Sequence, residues 1–309
     1  MDRREFFKKS IGAGIAAGTA ITFGGFSNII AKSKTNISTG SAFDLVAVRG
    51  GEPAAMFDRA VNSLGGMKNF VKSNQTVVVK PNIGWDTTPE RGANTNPDLV
   101  YRIVEQCINA GAKDVYVFDH TCDTWQRAYK NSGIEKAVND AGGTIVSGDS
   151  EGYYQDVEIK VGKSLKSAKV HQLILDSDVF INVPVLKHHS SASLTVTMKN
   201  LMGVVWDRRY WHRNNLHQCI ADYAAFNKPT LNVVDAYAVM KRNGPRGIST
   251  ADVVSMKSLL VSTDMVASDA AAAKLFGMEP EQIPYIKIAH DMNVGSMDLK
   301  TLNIDRIKI

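Results

Sequence analysis

From residue 43 onwards, short apolar runs alternate with longer amphipathic segments, and this alternation leaves few folds open to the chain. Several of the runs are apolar throughout, which is typical of strands covered on both faces. Strands that alternate with helices favour parallel pairing through right-handed crossovers. We therefore predict an α/β fold with a doubly wound, mostly parallel sheet and helices on both faces. The predicted strands are Leu45–Val48, Thr76–Lys80, Val115–Asp119, Thr144–Ser147, Val179–Val183, Leu231–Asp235 and Leu259–Ser262.

Two helices carry clear start and stop signals. The first is predicted to begin after Asn96, whose side chain can cap it, and to be closed by Gly111. The second is predicted over Met265–Phe276, with Asp264 as its cap and Gly277 as its stop. Both follow predicted strands, as a doubly wound sheet requires.

The first 31 residues resemble a twin-arginine export signal. Arg3 and Arg4 precede Phe-Phe-Lys, and a weakly hydrophobic, glycine-rich stretch follows over residues 11–26. We predict a signal peptide over residues 1–31, a Ser/Thr/Lys/Gly-rich linker over 32–42 and a single α/β domain over 43–309. The protein would then use the twin-arginine export machinery and reside in the periplasm, or stay membrane-anchored if the signal is not cleaved.

Composition and charge exclude several classes of protein. With 44% hydrophobic and 22% charged residues, the chain of 309 residues is globular in composition. The net charge of +5 includes +2 from the first 31 residues, which is too little to argue for a nucleic-acid partner. Its three cysteines form no CxxC pair, so the chain's own ligands make neither a four-cysteine iron–sulfur cluster nor a cysteine zinc site. Cys107 and Cys122 either pair in an exported protein or stay free, like Cys219.

Polar residues follow the carboxyl ends of several predicted strands, which is where ligands bind in open parallel sheets. The strand that ends at Lys80 continues into Asn82 and a loop with Arg91. His120 follows the next strand, and Lys187 follows the apolar run near residue 180. These ends predict a cleft along one edge of the sheet.

The densest candidate site lies between residues 187 and 203. His189 follows a buried-looking strand, and Lys199 comes ten residues later, after a segment rich in small hydroxyl side chains. A desolvated lysine at that place can act as a base, a Schiff-base former or an anion clamp. Alternatively, Lys187 and Lys199 simply pair with Asp119 or Asp235.

A basic and aromatic segment over residues 206–213 follows, and it can serve as a lid over an anionic substrate, stack nucleobases, or form an exposed loop or oligomer contact. His212 and His217 are candidate metal ligands together with His189. Arg246, in a Gly-Pro turn, is a further candidate for the cleft. The chain contains no GxGxxG, GxxxxGK[ST] or GxSxG motif, so nucleotide-fold and serine-hydrolase assignments lack their usual support.

Several motifs stand out between residue 43 and the C-terminus: Lys80-Pro81-Asn82, Ala110-Gly111-Ala112-Lys113, Asn182 through His189, Met198-Lys199-Asn200-Leu201-Met202-Gly203, Asn243-Gly244-Pro245 and Thr263-Asp264 through Asp269. With these motifs the chain resembles the family called domain of unknown function 362. The family usually shows Lys-Thr-His where this chain has Lys187-His188-His189, so His189 takes the place of the family's histidine. Some relatives carry an iron–sulfur segment, whose cysteines are absent here.

A more distant likeness is to nickel-pincer lactate racemases. Those enzymes have a histidine followed ten residues later by the lysine that tethers the cofactor, a spacing that His189 and Lys199 repeat, and an earlier histidine where this chain has His120. The Gly-Gly that precedes the racemase lysine is Thr197-Met198 here. The likeness implies a lysine-tethered metal-organic cofactor as one option.

These observations predict an exported enzyme that acts on a small anionic, carboxylate-bearing molecule, with the cofactor undetermined and without an iron–sulfur cluster. Lys199 would be the tether or base, with His189 and His120 as acid/base groups. The alternative is a non-catalytic periplasmic protein that binds a ligand or cofactor. The residues predicted to bind the ligand or cofactor are Lys80, Asn82, Arg91, Lys187 and Arg246.

Overall fold

The computed structural model describes residues 42–309, so the predicted export signal and nearly all of the predicted linker lie outside the described residues. The strands are β1 Leu45–Arg49, β2 Thr76–Pro81, β3 Asp114–Val117, β4 Thr144–Ile145, β5 Tyr154–Glu158, β6 Ser167–His171, β7 Val179–Val183, β8 Val185–His189, β9 Ser193–Thr195, β10 Leu231–Met240, β11 Val253–Ser262 and β12 Ile304–Lys308. The helices are α1 Pro53–Ser63, α2 Pro97–Asn109, α3 Trp125–Asn131, α4 Ile134–Asp140, α5 Gln172–Asp176, α6 Thr197–Asn200, α7 Arg208–Arg213, α8 Leu216–Phe226, α9 Met265–Phe276 and α10 Pro284–Asp291.

Ten of the strands form one mixed, mostly parallel sheet, in the order β12-β1-β11-β10-β7-β2-β3-β4, with β8 paired to β10 and β9. Only β11 in the main path runs antiparallel to its neighbours, and β9 is antiparallel to β8. β5 and β6 form a separate antiparallel pair. From β2 the chain proceeds to β3 and β4 on one side, whereas β7 and β10 lie on the other side. The boundary between β2 and β7 is therefore a topological switch point, the place where open α/β sheets form a ligand crevice.

Helices cover both faces of the sheet, as the apolar strands predict. On β2, Val77 and Val79 belong to the core beneath α1 to α4, whereas Val78 faces the core beneath α5 to α10. β7 alternates in the same way, with Phe180 in the second core. The doubly wound α/β prediction is therefore confirmed. Asn182 replaces an apolar residue on that second face, next to the site described below.

Local signals predicted the helix ends well. The Asn96 side chain accepts a hydrogen bond from the Asp98 N–H, and Asp264 accepts from the N–H groups of residues 266 and 267. Gly111 and Gly277 adopt the positive φ angles, 104° and 92°, that close the two helices.

The structure departs from the predicted strands around β8 and β10. Pro184 has no N–H to donate, and the ladder of β7 ends before it, yet the chain then forms β8, so Lys187 and His189 lie within a strand rather than in a loop. β10 continues past Asp235 through a register shift, so this residue does not mark a strand end. β5, β6, β8, β9 and β12 were not predicted. Over residues 42–309, none of the helices has the length and apolar character needed to cross a bilayer.

Candidate active site

A cavity of about 270 Å³ lies at the carboxyl ends of β2 and β3, beside β8 and α6. Its position agrees with the switch point between β2 and β7. Its lining residues are Lys80, Asn82, Gly84, Trp85, Asp119, His120, Cys122, Lys187, His189, Ser190, Ser191, Thr195, Lys199, Asn200, Met202, Gly203, Arg208, His212 and Pro245. The volume suits a small molecule.

A buried ion pair forms one wall of the cavity. Lys80 Nζ lies 2.9 Å from Asp119 Oδ1, and both side chains are almost completely buried. Lys80 also donates to Asn200 Oδ1 at 2.8 Å. The second carboxylate oxygen of Asp119 accepts from the Ile83 N–H at 2.7 Å. Burial lowers the pKa of Lys80, and Asp119 opposes that effect by stabilising the ammonium.

Side-chain amides connect this ion pair to the next lysine. Asn200 accepts from Asn82 at 2.9 Å and donates to Asn182 Oδ1, also at 2.9 Å. Asn82 in turn accepts from Lys187 Nζ at 3.0 Å, and the same ammonium donates to the Ala93 carbonyl. Burial lowers the pKa of Lys187 to about 7. Because these groups are buried and partnered, the network fixes Lys80 and Lys187 in place.

Lys199 lies on α6, and a buried carboxylate from α9 holds this helix. Asp269 accepts from the Thr197 N–H at 2.8 Å, from the Met198 N–H at 3.2 Å and from the Thr197 hydroxyl. The Thr197 carbonyl accepts from Asn182 Nδ2 at 3.0 Å. Burial raises the pKa of Asp269 to about 7. Contacts from two other elements therefore fix the backbone that carries Lys199.

The amine of Lys199 differs from those of the other two lysines. The side chain is only 9% exposed, yet no described residue accepts a hydrogen bond from Nζ or forms an ion pair with it. Burial, together with the nearby charges of Arg208 and Lys80, lowers its pKa to about 8, against opposing contributions from Cys122 and Asp119. The expected alternative, pairing of Lys187 or Lys199 with Asp119 or Asp235, is not observed. Asp119 pairs with Lys80 instead.

His120 is oriented by backbone and aromatic contacts. Its Nδ1 lies 3.0 Å from the Val205 carbonyl, and its ring stacks on Trp206 with centroids 4.9 Å apart. Because a carbonyl can only accept, Nδ1 carries the proton and Nε2 keeps its lone pair. Burial and then Arg208 lower the pKa of His120, which keeps the ring neutral. His120 is therefore arranged to accept a proton through Nε2.

His189 has the opposite arrangement. Its Nδ1 accepts from the N–H groups of Ser191 at 3.2 Å and Ala192 at 3.3 Å. The proton of the neutral ring is therefore on Nε2. Burial, followed by the charge of Lys199, lowers the pKa of His189 to about 2. His189 can donate a hydrogen bond through Nε2, but it is poorly arranged to bind a metal there.

Arg208 supplies a further positive charge to the cavity. Its guanidinium donates to the carbonyls of His120 and Thr121, which joins the start of α7 to the loop after β3. These two bonds use only part of the donors of the guanidinium. The segment predicted as a lid therefore contributes a cation to the cavity.

Gly203 permits the close packing around the ion pair. A Cβ at this position would lie 2.7 Å from Lys80 Nζ and still closer to an oxygen of Asp119. The Gly203 carbonyl also accepts from the His120 N–H at 3.0 Å. A side chain at residue 203 would therefore displace the ion pair and the histidine loop.

Seven of the predicted site residues line this cavity, and three do not. Arg91 donates to the Gly247 carbonyl at 2.9 Å, and Arg246 is a half-exposed partner of Asp123 at 3.5 Å. His217 stacks on Tyr285, away from the cavity. The predicted site residues that line the cavity are Lys80, Asn82, His120, Lys187, His189, Lys199 and His212.

The three histidines predicted as metal ligands are not brought together. His189 and His212 stack with centroids 6.1 Å apart, whereas His217 packs elsewhere. Within residues 42–309, no group of three His, Cys, Asp or Glu side chains could hold a metal ion. The described side chains therefore do not form the donor set that a resident metal would need.

The sequence did not assign several cavity residues to the site. Cys122 lines the cavity as an exposed free thiol, and Cys107 and Cys219 are free and buried, so the structure contains no bond between Cys107 and Cys122. Arg208 was recognised only as part of a lid, and Asn200 only as part of a motif. The motif around Lys199 was the signal for Asn200, since α6 turns both side chains towards the cavity.

The fold and the cavity define an α/β protein with a cationic pocket at the carboxyl edge of a mostly parallel sheet. The family model for the domain of unknown function DUF362 matches residues 77–274, and the chain belongs to this family. A thylakoid-associated protein of Synechocystis sp. is 27% identical over 229 residues, which cover 72% of this chain and 69% of that protein.

Two solved structures are similar at low sequence identity. The lactate racemase apoprotein of Thermoanaerobacterium thermosaccharolyticum aligns with a TM-score of 0.43 and 13% identity, over 69% of this chain and 53% of that one. A protein of Thermotoga maritima aligns with a TM-score of 0.44 and 11% identity, over 78% of this chain and 60% of that one. The chain thus spans about half of the racemase chain.

Proposed function

We propose that the protein is an enzyme that acts on a small carboxylate-bearing molecule in the cavity around Lys199. The supporting observation is the charge of the cavity lining. Four cationic side chains line it, and the only carboxylate among the lining residues, Asp119, is already paired with Lys80. In a buried setting such a surplus of cations is costly, and an anionic ligand compensates for it. The four cations are Lys80, Lys187, Lys199 and Arg208.

The side chains around the anion site are suited to proton transfer. His120 presents a lone pair on Nε2, and His189 carries a proton on Nε2, so one can accept a proton while the other donates a hydrogen bond. Lys199 adds an amine whose pKa, lowered to about 8, gives it a far larger neutral fraction near neutral pH than an ordinary lysine has. A bound carboxylate would be held beside a base, a hydrogen-bond donor and an amine.

The segment that resembles a twin-arginine signal supports export as part of this proposal. The paired arginines precede the described residues, so the proposed periplasmic location rests on the sequence alone. The test is the location of the full-length chain in its host after the change of Arg3 and Arg4 to Lys. Cytoplasmic accumulation of the variant supports export by this route, and an unchanged distribution contradicts it.

Calorimetric titration tests the binding half of the proposal. The full-length protein is titrated with L-lactate, with pyruvate and with neutral lactamide, which matches lactate except for the carboxylate. We expect the two carboxylates to bind, lactamide to bind at least tenfold more weakly, and binding to weaken when Lys199 is replaced by Met. The matched control is Lys136→Met, a charge removal at a side chain 80% exposed to solvent, which leaves binding unchanged. Equal binding of lactamide and lactate contradicts the anion site.

A turnover assay separates an enzyme from a binding protein. Each bound carboxylate is incubated with the protein in D₂O, and proton NMR follows loss of its C–H signals or appearance of product. Turnover that is lost in His120→Gln supports the enzyme. Tight binding across the panel without turnover contradicts it and favours a non-catalytic ligand-binding protein.

A further inference from the structure

The three lysines of the cavity differ in how their amines are satisfied. Lys80 Nζ has Asn200 at 2.8 Å and Asp119 at 2.9 Å. Lys187 Nζ has Asn82 at 3.0 Å and a backbone carbonyl. The Lys199 amine lacks any such partner among the described residues, although the side chain is more than nine-tenths buried. The amines of two lysines are therefore held by protein acceptors, and the third is an unpartnered amine that lines a cavity.

The unpartnered amine is firmly placed by its backbone. α6 is anchored at Thr197 and Met198 by Asp269, and its other end carries Asn200, which bonds to Lys80 and Asn182. Such anchoring on both sides leaves the backbone at residue 199 little freedom. The amine is thus held at a fixed place on the cavity wall without a protein partner, which points to a partner that arrives with the ligand.

The surroundings of the amine favour a nucleophile over a permanent cation. Lys80 and Arg208 line the same cavity, and their charges oppose protonation of the Lys199 amine. An amine next to other cationic groups keeps its lone pair more readily, and that lone pair attacks carbonyl carbons. The same cations attract a carboxylate. A molecule that carries both a carboxylate and a carbonyl group would therefore be held by its carboxylate and attacked at its carbonyl carbon.

We propose that Lys199 forms an imine with the carbonyl carbon of a small oxo acid, in which a carboxylate lies next to the reacting carbonyl. This inference rests on the proposed function, since it takes the carboxylate site as given. It narrows the substrate class from carboxylates in general to oxo carboxylates. His120 and His189 line the same cavity and serve the proton transfers of the reaction.

The chemistry balances without a further reactant. The Lys199 lone pair forms a C–N bond to the carbonyl carbon, and the C=O π electrons move to oxygen, which takes up a proton. Loss of that oxygen as water then forms the C=N bond, and the two protons of the water come in net from the amine. His120 Nε2 accepts a proton from the attacking nitrogen, and His189 Nε2–H stabilises the developing oxyanion by hydrogen bonding. No electrons are transferred to or from an external group.

Reductive trapping with pyruvate tests the imine. The full-length protein is incubated with pyruvate and sodium cyanoborohydride, digested, and analysed by peptide mass spectrometry. We expect Lys199 to gain the mass of one pyruvate minus one oxygen atom, at a rate at least tenfold above that of any other lysine. L-Lactate, with a hydroxyl in place of the carbonyl, competes with the trapping but leaves no adduct.

Lys199→Arg serves as the matched variant because it keeps the positive charge without forming a stable imine. We expect this variant to bind pyruvate but to show no adduct in the peptide that contains residue 199. Calorimetric binding of pyruvate to the wild type without an adduct at Lys199 overturns the imine and leaves the carboxylate site intact. Failure of both lactate and pyruvate to bind overturns the proposed function itself. Equal labelling of Lys199 and exposed lysines such as Lys136 also overturns the imine.

Discussion

Replacement of Lys199 by Met should stabilise the protein, although it removes a buried side chain of the proposed site. Burial and neighbouring charges lower the pKa of Lys199 from its ordinary value of 10.5 to about 8. One pKa unit corresponds to about 1.4 kcal/mol, so the charged amine costs the folded state about 3 kcal/mol. Met has a similar length and no charge, and the variant should recover up to about 3 kcal/mol of unfolding free energy.

The pH dependence of this gain has a defined sign. Below pH 8 the amine is protonated in both the folded and the unfolded state, so the whole cost is present. Between pH 8 and 10.5 the unfolded state binds more protons than the folded state, and wild-type stability therefore rises with pH. Above pH 10.5 the amine is neutral in both states, so the cost of the buried charge is gone. The advantage of Lys199→Met should be largest near neutral pH and should shrink across the window.

Urea unfolding measures this gain in unfolding free energy and its pH dependence directly. The midpoint at unchanged m value is compared for the wild type, Lys199→Met, Lys80→Met and the exposed control Lys136→Met, near neutral pH and near pH 10. Lys80→Met should lose about 3–5 kcal/mol because Asp119 would be left buried without its partner. Lys136→Met should stay within about 0.5 kcal/mol. A loss of stability in Lys199→Met would refute the reasoning, since it would show that the ammonium has a stabilising partner.

Three further substitutions test the contacts around the cavity. Gly203→Ala should lower the free energy of unfolding in urea by at least about 2 kcal/mol, because the added Cβ would lie 2.7 Å from Lys80 Nζ. The control Gly152→Ala should be nearly neutral, since its Cβ would have its nearest neighbour 3.7 Å away. Equal effects of the two substitutions would contradict the packing argument. Trp206→Leu should raise the pKa of His120 towards its ordinary value of 6.5, because the stacked indole ring would no longer shield the imidazole from water. NMR titration of His120 measures this pKa, and an unchanged value would contradict the prediction. Burial raises the pKa of Asp269 from 3.8 to about 7, so its contribution to stability falls as pH rises through that window. Asp269→Asn should lack that slope in urea unfolding, and parallel curves for the two proteins would contradict the assignment.

The sequence predicted those parts of the fold that local chemistry decides. The cap at Asn96 and the stop at Gly277 depend on a few neighbouring residues, and the apolar runs of β2 and β7 show burial on both faces. The same information could not predict β8, because its polar residues Lys187 and His189 obscure the strand pattern. That strand pairs with the short β9 in a hairpin and with β10, which lies far along the chain, and the pairing with β10 leaves no local signal.

Part of the candidate site could be predicted from the sequence in the same way, and part could not. The sequence indicated four of the site residues, through the spacing of His189 and Lys199 and through the predicted strand ends near Lys80 and His120. The structure places these four side chains around one cavity. The sequence did not indicate which side chains these residues pair with. Nothing local indicates that Asp119 pairs with Lys80 rather than with Lys199, because that choice depends on how residues far apart in the chain pack.

Competitive labelling of lysines with acetic anhydride tests the central claim that an unpartnered amine lies in a carboxylate-binding cavity. The full-length protein is labelled across a pH series, with and without L-lactate, and the extent of acetylation of each lysine is read by peptide mass spectrometry. We predict that Lys199 reacts with a midpoint near its lowered pKa of about 8, that lactate suppresses its labelling, and that Lys136 labels as an ordinary lysine in both conditions. A Lys199 that titrates like Lys136, or that lactate does not protect, would contradict the account.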